Sequence, residues 1–415
     1  MADSTTTTPP LTRASVIAAH ELIKPYIHRT PVLTNTTLNK LASSARSEEE
    51  LAGTRWRGRE QPGVDGSKVR EEGEKEDGRR QKGGAKPVMR LWFKCENLQR
   101  IGAFKVRGAF HAVERLKMDR EWVDGGGLER GVLTHSSGNH AQAVALAAKE
   151  NNMPAYIIMP EISAPPKIAG TKGYGAHVIF SGSTAPEREA TAHKVLAETG
   201  ATFIPPYDHP NIILGQGTMG LEFQEQVVQL MAEKAGSGNA DRSNSNSNHD
   251  NKNTAKGLDV IMTPCGGGGM LSGVALSCEG TGITVFGSEP SHQGADDCKR
   301  GFEAGQRVES VSSLTIADGL RTPVGKLPWS VIYERRLVKQ VFNVTEEEIT
   351  AALRLVLERM KLVVEPSAVV PLAVALFNED FREMVEREAG DDGWDIGLVF
   401  SGGNVALENL AKMFG

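Results

Sequence analysis

The stretch PCGGGGMLSG (residues 264–273) governs how the rest of the chain is read. Four consecutive glycines surrender more backbone entropy on folding than any other residues would. They follow a short apolar run, LDVIMT (258–263), and lead into residues that predict a helix. A glycine-rich turn between a strand and a helix N-terminus is an anion site, because bare N–H groups point inward and the helix dipole favours negative charge. Phosphate is the usual guest. A Walker A loop needs a lysine after its last glycine, and none follows here. A dinucleotide fingerprint needs glycines at i, i+2 and i+5. Frames starting at Gly266, Gly267 and Gly268 fail at Leu271, Ser272 and Met270. Glu289 still sits where a ribose-binding acid belongs, about 20 residues on, so a nicotinamide dehydrogenase remains a rival.

Composition narrows the partners. The chain has 415 residues, enough for two or three domains. A formal net charge of −5 gives no basic footprint for nucleic acid and no attraction to an anionic membrane. No apolar run approaches the ~20 residues of a membrane-spanning helix. A small-molecule site fits this balance better. The first residues, MADSTTTTPPLTRASVIAAHELI, lack the basic start and long apolar core of a secretory signal. Cys95, Cys265, Cys278 and Cys298 form no CxxC pair and show no zinc-like spacing. They are expected to be reduced thiols, and the protein is expected to be cytoplasmic.

Two stretches stand apart. Residues 44–88 are rich in charge and glycine, with few apolar residues to bury, and predict a mobile surface insertion. Residues 235–256 are a Ser/Asn tract with the same reading. Elsewhere strand-like and helical patterns alternate. Strands are expected at 91–95, 131–136, 155–159, 176–180, 201–204, 258–263, 284–289, 338–344 and 395–400. Helices are expected at 105–117, 140–151, 165–173, 190–199, 217–233, 345–361 and 366–378, among others. Alternation of this kind predicts an α/β fold of parallel sheets flanked by helices, with too many strands for one small sheet.

The remaining candidate guest of the glycine loop is the phosphate of pyridoxal phosphate, which also requires a lysine for its aldehyde and a partner for its ring nitrogen. RIGAFKVRGAF (100–110) offers Lys105 at a strand-to-helix turn, beside Phe104 and Val106. Apolar neighbours and the adjacent Arg107 are expected to disfavour its ammonium form, and the less protonated amine is the better nucleophile. THSSGNHAQA (134–143) and FSGGNVAL (400–407) place serines, glycines and asparagines at two further strand ends. Those positions suit N-capping and pocket lining equally well.

These motifs resemble the fold-type II pyridoxal-phosphate enzymes, the two-domain family typified by the tryptophan synthase β chain. Within them they resemble the serine/threonine dehydratase and serine racemase group. HRTPVLTNTTLN, FKCENLQRIGAFKVRGA, HSSGNHAQA, PPYDHPN, GQGT, PCGGGGMLSG, TIADG, ERMKLVVEPSA and FSGGN carry the likeness from about residue 28 to 407. The resemblance implies a large cofactor domain of residues 11–128 and 211–415 and a small substrate-closing domain of residues 129–210. It implies that Lys105 carries the cofactor covalently, Phe104 packs nearby and Asn139 bonds the ring hydroxyl. Gly266, Gly267, Gly268, Gly269 and Met270 would cradle the phosphate, and Ser401 would meet the ring nitrogen. Ser136, Ser137, Asn139 and His140 would bind the substrate carboxylate region, with Ser137 the opposite-face acid/base in racemase-like members. Glu289, the Ala295 carbonyl and Asp297 match a divalent-cation site, for Mg²⁺ or a similar ion, although EPSHQGADDC is longer here than the racemase pattern.

The implied activity is a dehydratase: an ammonia-lyase converting L-serine, L-threonine or 3-hydroxyaspartate to a 2-oxo acid and ammonia. Serine racemase is the alternative and a non-catalytic cofactor-binding protein the remote one. Ala103, where many members carry serine, and PPYDHP tilt the expectation toward hydroxyaspartate. The chain ends soon after FSGGN, so no regulatory domain and no isoleucine feedback are expected. A homodimer is the expected assembly.

Overall fold

Ten strands among the described residues build two sheets in the computed structural model, which describes residues 8–58, 83–163, 165–237 and 257–415. They are β1 (Val32–Leu33), β2 (Met89–Cys95), β3 (Val132–His135), β4 (Ala155–Pro160), β5 (His177–Ser181), β6 (Thr202–Phe203), β7 (Val260–Pro264), β8 (Thr284–Pro290), β9 (Gln340–Val344) and β10 (Trp394–Phe400). The larger sheet runs β1-β2-β10-β7-β8-β9, and all its pairings are parallel except β1 with β2. The smaller runs β5-β4-β3-β6 and is wholly parallel. The α/β class and the helix-flanked parallel sheets expected from the sequence are what the chain adopts.

The inner strands are near-continuous apolar runs because helices cover both faces. On one face Leu91, Phe93, Met262, Phe286, Leu398 and Phe400 pack under the Pro366–Phe377 helix, whose PSAVVPLAVALF sequence is almost wholly buried. Phe93 stacks on Phe400 with ring centroids 4.9 Å apart. On the other face Trp92, Ile261, Val285 and Val399 meet the Gly269–Cys278 and Pro210–Ser237 helices. The smaller sheet is sandwiched in the same way, with Val132 and Ile157 under the Asn139–Glu150 helix and Leu133 and Ile158 under the Ala185–Thr199 helix.

Two expectations are corrected. The helix expected at 217–233 runs from Pro210 to Ser237, straight through GQGT. Its glycines serve close approach: a Cβ on Gly215 would lie 2.7 Å from the Arg107 carbonyl, and one on Gly217 would lie 2.5 Å from that of Gly273. Low intrinsic propensity gives way where backbones touch. Residues 44–58, read as part of a mobile insertion, are ordered instead. Ser47 and Glu50 form a reciprocal capping box for the Glu48–Ala52 helix, and Leu51 and Trp56 are buried. Arg46 and Gly84 join the two arms of that stretch by a backbone hydrogen bond. The middle of the first tract and most of the second lie outside the described residues. No helix among the described residues is long and apolar enough to cross a membrane.

Candidate active site

Parallel strands deliver their C-terminal ends to one edge, where open α/β sheets collect ligands. Phe400 of β10 is level with Cys95 of β2, and Leu398 with Met262 of β7, so the loops after β2, β10 and β7 emerge side by side. The first leads to Lys105, the second begins at Ser401 and the third is the tetraglycine turn. An antiparallel bridge between Ala103 and Gly402, and a 3.0 Å hydrogen bond from the Phe104 N–H to the Ser401 carbonyl, fasten the first loop to the second.

Lys105 opens the Lys105–Lys117 helix. Its Nζ donates to the Pro206 carbonyl at 2.7 Å and lies 5.2 Å from the Phe104 ring centre. Desolvation pulls its pKa down to about 8, opposed by the charge of Glu365. Arg107 is not the cause expected from the sequence. It is fully buried and bonds Glu96 at 2.7 and 2.8 Å and Glu222 at 2.8 and 2.9 Å. That ion cluster, completed by Lys94, anchors the helix against the Pro210–Ser237 helix instead.

The same 205–209 loop reaches the glycines. A Cβ on Gly267 would lie 2.3 Å from the Tyr207 ring, and one on Gly269 3.1 Å from the Tyr207 carbonyl. On the other side, a Cβ on Gly266 would lie 2.9 Å from the Gly319 carbonyl. Gly268 takes φ +82°, a left-handed conformation that caps the Gly269–Cys278 helix. Asp208 holds the loop by accepting from the Lys326 and Leu327 N–H groups at 3.0 and 2.9 Å. Met270 is buried in the core, which leaves its main chain to serve an anion. This cradle has room for no side chain and lies beside a lysine whose burial makes its proton easier to lose, so the residues present fit the phosphate and aldehyde of pyridoxal phosphate.

Ser136, Ser137 and Gly138 form the half-buried turn between β3 and the Asn139–Glu150 helix. Asn139 donates Nδ2 to both oxygens of Glu365, at 3.1 and 3.2 Å, and accepts from Asn404 at 2.8 Å. Burial and the charge of Asp318 raise the Glu365 carboxyl to about 7, against the stabilising bond from Asn139. His140 is buried, and its Nε2 meets the Ile204 carbonyl at 3.1 Å, so Nε2 carries the proton. Burial holds its pKa near 3 and the ring neutral. What His140 offers a carboxylate here is its main-chain N–H in the first helical turn.

Ser401 is buried at the end of β10. Glu289, Ala295 and Asp297 are also buried, near the ends of β8 and of the glycine turn. Glu289 accepts from the Cys298 and Lys299 N–H groups at 3.0 and 2.9 Å, and Asp297 from the Val324 N–H at 3.0 Å. Sequence reasoning missed Tyr207, Asp208, Glu365 and Asn404. All four lie inside motifs that carry the family likeness, PPYDHPN, ERMKLVVEPSA and FSGGN, but no role was read for them.

Comparison with known proteins follows the same lines. The chain is 38% identical over 402 residues to a serine racemase of Arabidopsis thaliana, covering 96% of this chain and 95% of that one. It is 37% identical over 326 residues to L-threo-3-hydroxyaspartate ammonia-lyase of Saccharomyces cerevisiae, covering 78% and 85%. The structure of maize serine racemase superposes with a TM-score of 0.72 at 33% identity, covering 97% of this chain and 96% of that one. The family model described as "Pyridoxal-phosphate dependent enzyme" matches residues 80–402. With a match of that extent, this chain belongs to the pyridoxal-phosphate dependent enzymes of fold-type II.

Proposed function

We propose that this protein is a pyridoxal-phosphate ammonia-lyase that dehydrates a small β-hydroxy amino acid to a 2-oxo acid and ammonia. The observation that carries it is Lys105, whose amine titrates near pH 8 beside a four-glycine anion cradle. When bound, the cofactor supplies an electron sink that acidifies the Cα–H of the amino acid joined to it. Lys105 takes that proton as general base. The N–H groups of the glycine turn and the dipole of the Gly269–Cys278 helix would hold the phosphate. Ser401 would offer the ring nitrogen of a bound cofactor a neutral hydroxyl rather than a carboxylate, a weaker electron sink, and the proton Lys105 has taken can leave with the β-hydroxyl as water. The released enamine hydrolyses in solution. The Ser136–Gly138 turn and the free N–H groups that follow it orient the substrate carboxylate, and the 205–209 loop shields the lysine from solvent.

Serine racemisation is the second reading, supported by the identity to plant serine racemases and by Ser137 in the turn that leads to Asn139, whose side chain is bonded to Glu365. Here Ser137 returns a proton to the face opposite Lys105. The small domain of residues 129–210, built on the smaller sheet, would be the part that closes on substrate. Glu289, the Ala295 carbonyl and Asp297 would hold a divalent cation such as Mg²⁺, a reading supported by the burial of all three residues near one strand end. Four buried free thiols suit a reducing compartment such as the cytoplasm.

One experiment tests these readings together. The holoenzyme is incubated with L-serine, L-threonine and 3-hydroxyaspartate, with and without Mg²⁺, and 2-oxo acid and enantiomers are quantified in the same samples. A 2-oxo acid from at least one substrate is expected. Bound cofactor with neither 2-oxo acid nor D-isomer from any of them would refute both catalytic readings.

A further inference from the structure

A knot of hydrogen bonds surrounds Asn404, in the loop after β10. Its Nδ2 donates to the Ile101 carbonyl at 2.7 Å and to Oδ1 of Asn139 at 2.8 Å. Its main-chain N–H donates to the Glu365 carboxyl, and Gly403 beside it donates to the Gly102 carbonyl at 2.9 Å. A Cβ on Gly102 would lie 3.0 Å from Asn404 Oδ1. The loop after β2, the helix after β3 and the residue that opens the Pro366–Phe377 helix therefore meet at one asparagine.

Ile101 is buried with φ +59°. A β-branched residue takes that left-handed conformation only where its surroundings hold it there, and such strain gathers at functional sites. The strained turn leads directly into Ala103, Phe104 and Lys105. Its carbonyl also decides the orientation of two side chains in turn. A carbonyl only accepts, so the Asn404 atom facing Ile101 is Nδ2. The second hydrogen of that amide goes to Asn139, so the Asn139 atom facing Asn404 is its oxygen. Asn139 is left with Nδ2 toward Glu365, at 3.1 and 3.2 Å. Glu365 alone does not impose this orientation. Burial raises its carboxyl to about 7, so near neutral pH it can accept from an amide nitrogen or donate to an amide oxygen.

We propose that Asn404 is a positioning residue for the cofactor: it locks the amide of Asn139 so that the ring hydroxyl of bound pyridoxal phosphate meets an N–H and not a carbonyl. The inference rests on the reading that Asn139 bonds that hydroxyl. An N–H donor favours the ring oxygen in its anionic form, whereas a reversed amide repels it. The same side chain holds the turn ahead of Lys105, so the lysine and the ring contact are set by one group.

The test is the absorption spectrum of holoenzyme carrying Asn404→Ala, Asn139→Ala or both, at one pH. The visible band reports the ring oxygen as an anion and the near-ultraviolet band reports it protonated. Asn139→Ala should shift the ratio of the two toward the near-ultraviolet about 10-fold, the scale of one lost hydrogen bond to a charged group. Asn404→Ala should shift it the same way by at least ~3-fold. The double variant should shift no further than Asn139→Ala, because Asn404 acts through Asn139. An unshifted spectrum in Asn404→Ala overturns the proposal, as do two shifts that add. An unshifted spectrum in Asn139→Ala overturns instead the reading of Asn139 on which the proposal rests. Should Asn404→Ala fail to retain cofactor, Asn404→Ser, which keeps one donor hydrogen, enters the same cycle with the same outcomes.

Discussion

Asn139 spans both oxygens of Glu365 at 3.1 and 3.2 Å, joining the first helix after β3 to the helix that roofs the larger sheet. The carboxyl titrates at about 7 in the fold and at 4.5 when unperturbed. Between those values the folded state holds more protons than the unfolded one, so stability falls as pH rises through that window. Glu365→Gln should remove this slope and raise stability at pH 8 by about 1–3 kcal/mol. Urea unfolding at pH 5 and pH 8 measures it. An unchanged slope would contradict the assignment.

Lys105 titrates near pH 8 instead of 10.5 because burial penalises its charge. The neutral amine is the form that captures an aldehyde, so cofactor loading of the apoprotein should accelerate up to about pH 8 and then level off. Stopped-flow absorbance follows this directly. Lys105→Ala should lose the covalent absorbance band and at least ~100-fold in turnover.

Gly267 lies against the Tyr207 ring with no room for a methyl group. Gly267→Ala should weaken cofactor retention at least ~10-fold while the chain stays folded, at a cost of about 1–3 kcal/mol for overpacking. Adding Tyr207→Ala to that variant should recover part of the loss. Dialysis followed by cofactor fluorescence reads both.

Ser137 sits in the turn between β3 and its helix, one residue past the serine whose Oγ accepts from Gly138 at 3.3 Å. Ser137→Ala should cut D-serine formation by ~100-fold or more, the scale of a lost acid/base group. Production of 2-oxo acid from L-serine should suffer far less. Chiral chromatography and a 2-oxo acid assay on one sample separate the two outcomes.

Arg107 is the bridge between Glu96 and Glu222, all three out of contact with water. Arg107→Ala strands two buried carboxylates and should cost about 3–5 kcal/mol. Calorimetric unfolding of the apoprotein checks this apart from any effect on turnover.

What could be read from the letters alone was what adjacent residues encode. The glycine turn, Lys105 at its strand-to-helix junction and the alternation of β7, β8 and β10 with helices are local patterns. The role of Glu365 was not legible, although its motif was, because it arises only when residue 139 arrives from another sheet. The pairing of Cys265 with Cys298 was hidden for a related reason. Their spacing along the chain matches no metal motif, yet Glu289 on β8 accepts from the Cys298 N–H and so draws the Asp297–Ala304 helix toward the end of β7. Residues 44–58 were misjudged because average composition conceals single anchors such as Leu51 and Trp56.

The last strand of the larger sheet to leave the ribosome, β10, is also an interior one, inserted between β2 and β7. Until it emerges, both neighbours present raw edges, and the segment before Lys105 has no Gly402 to lean on. Cofactor capture is therefore expected to follow the synthesis of β10. Nascent chains stalled before β10 should be clients of holding chaperones rather than partly active enzymes.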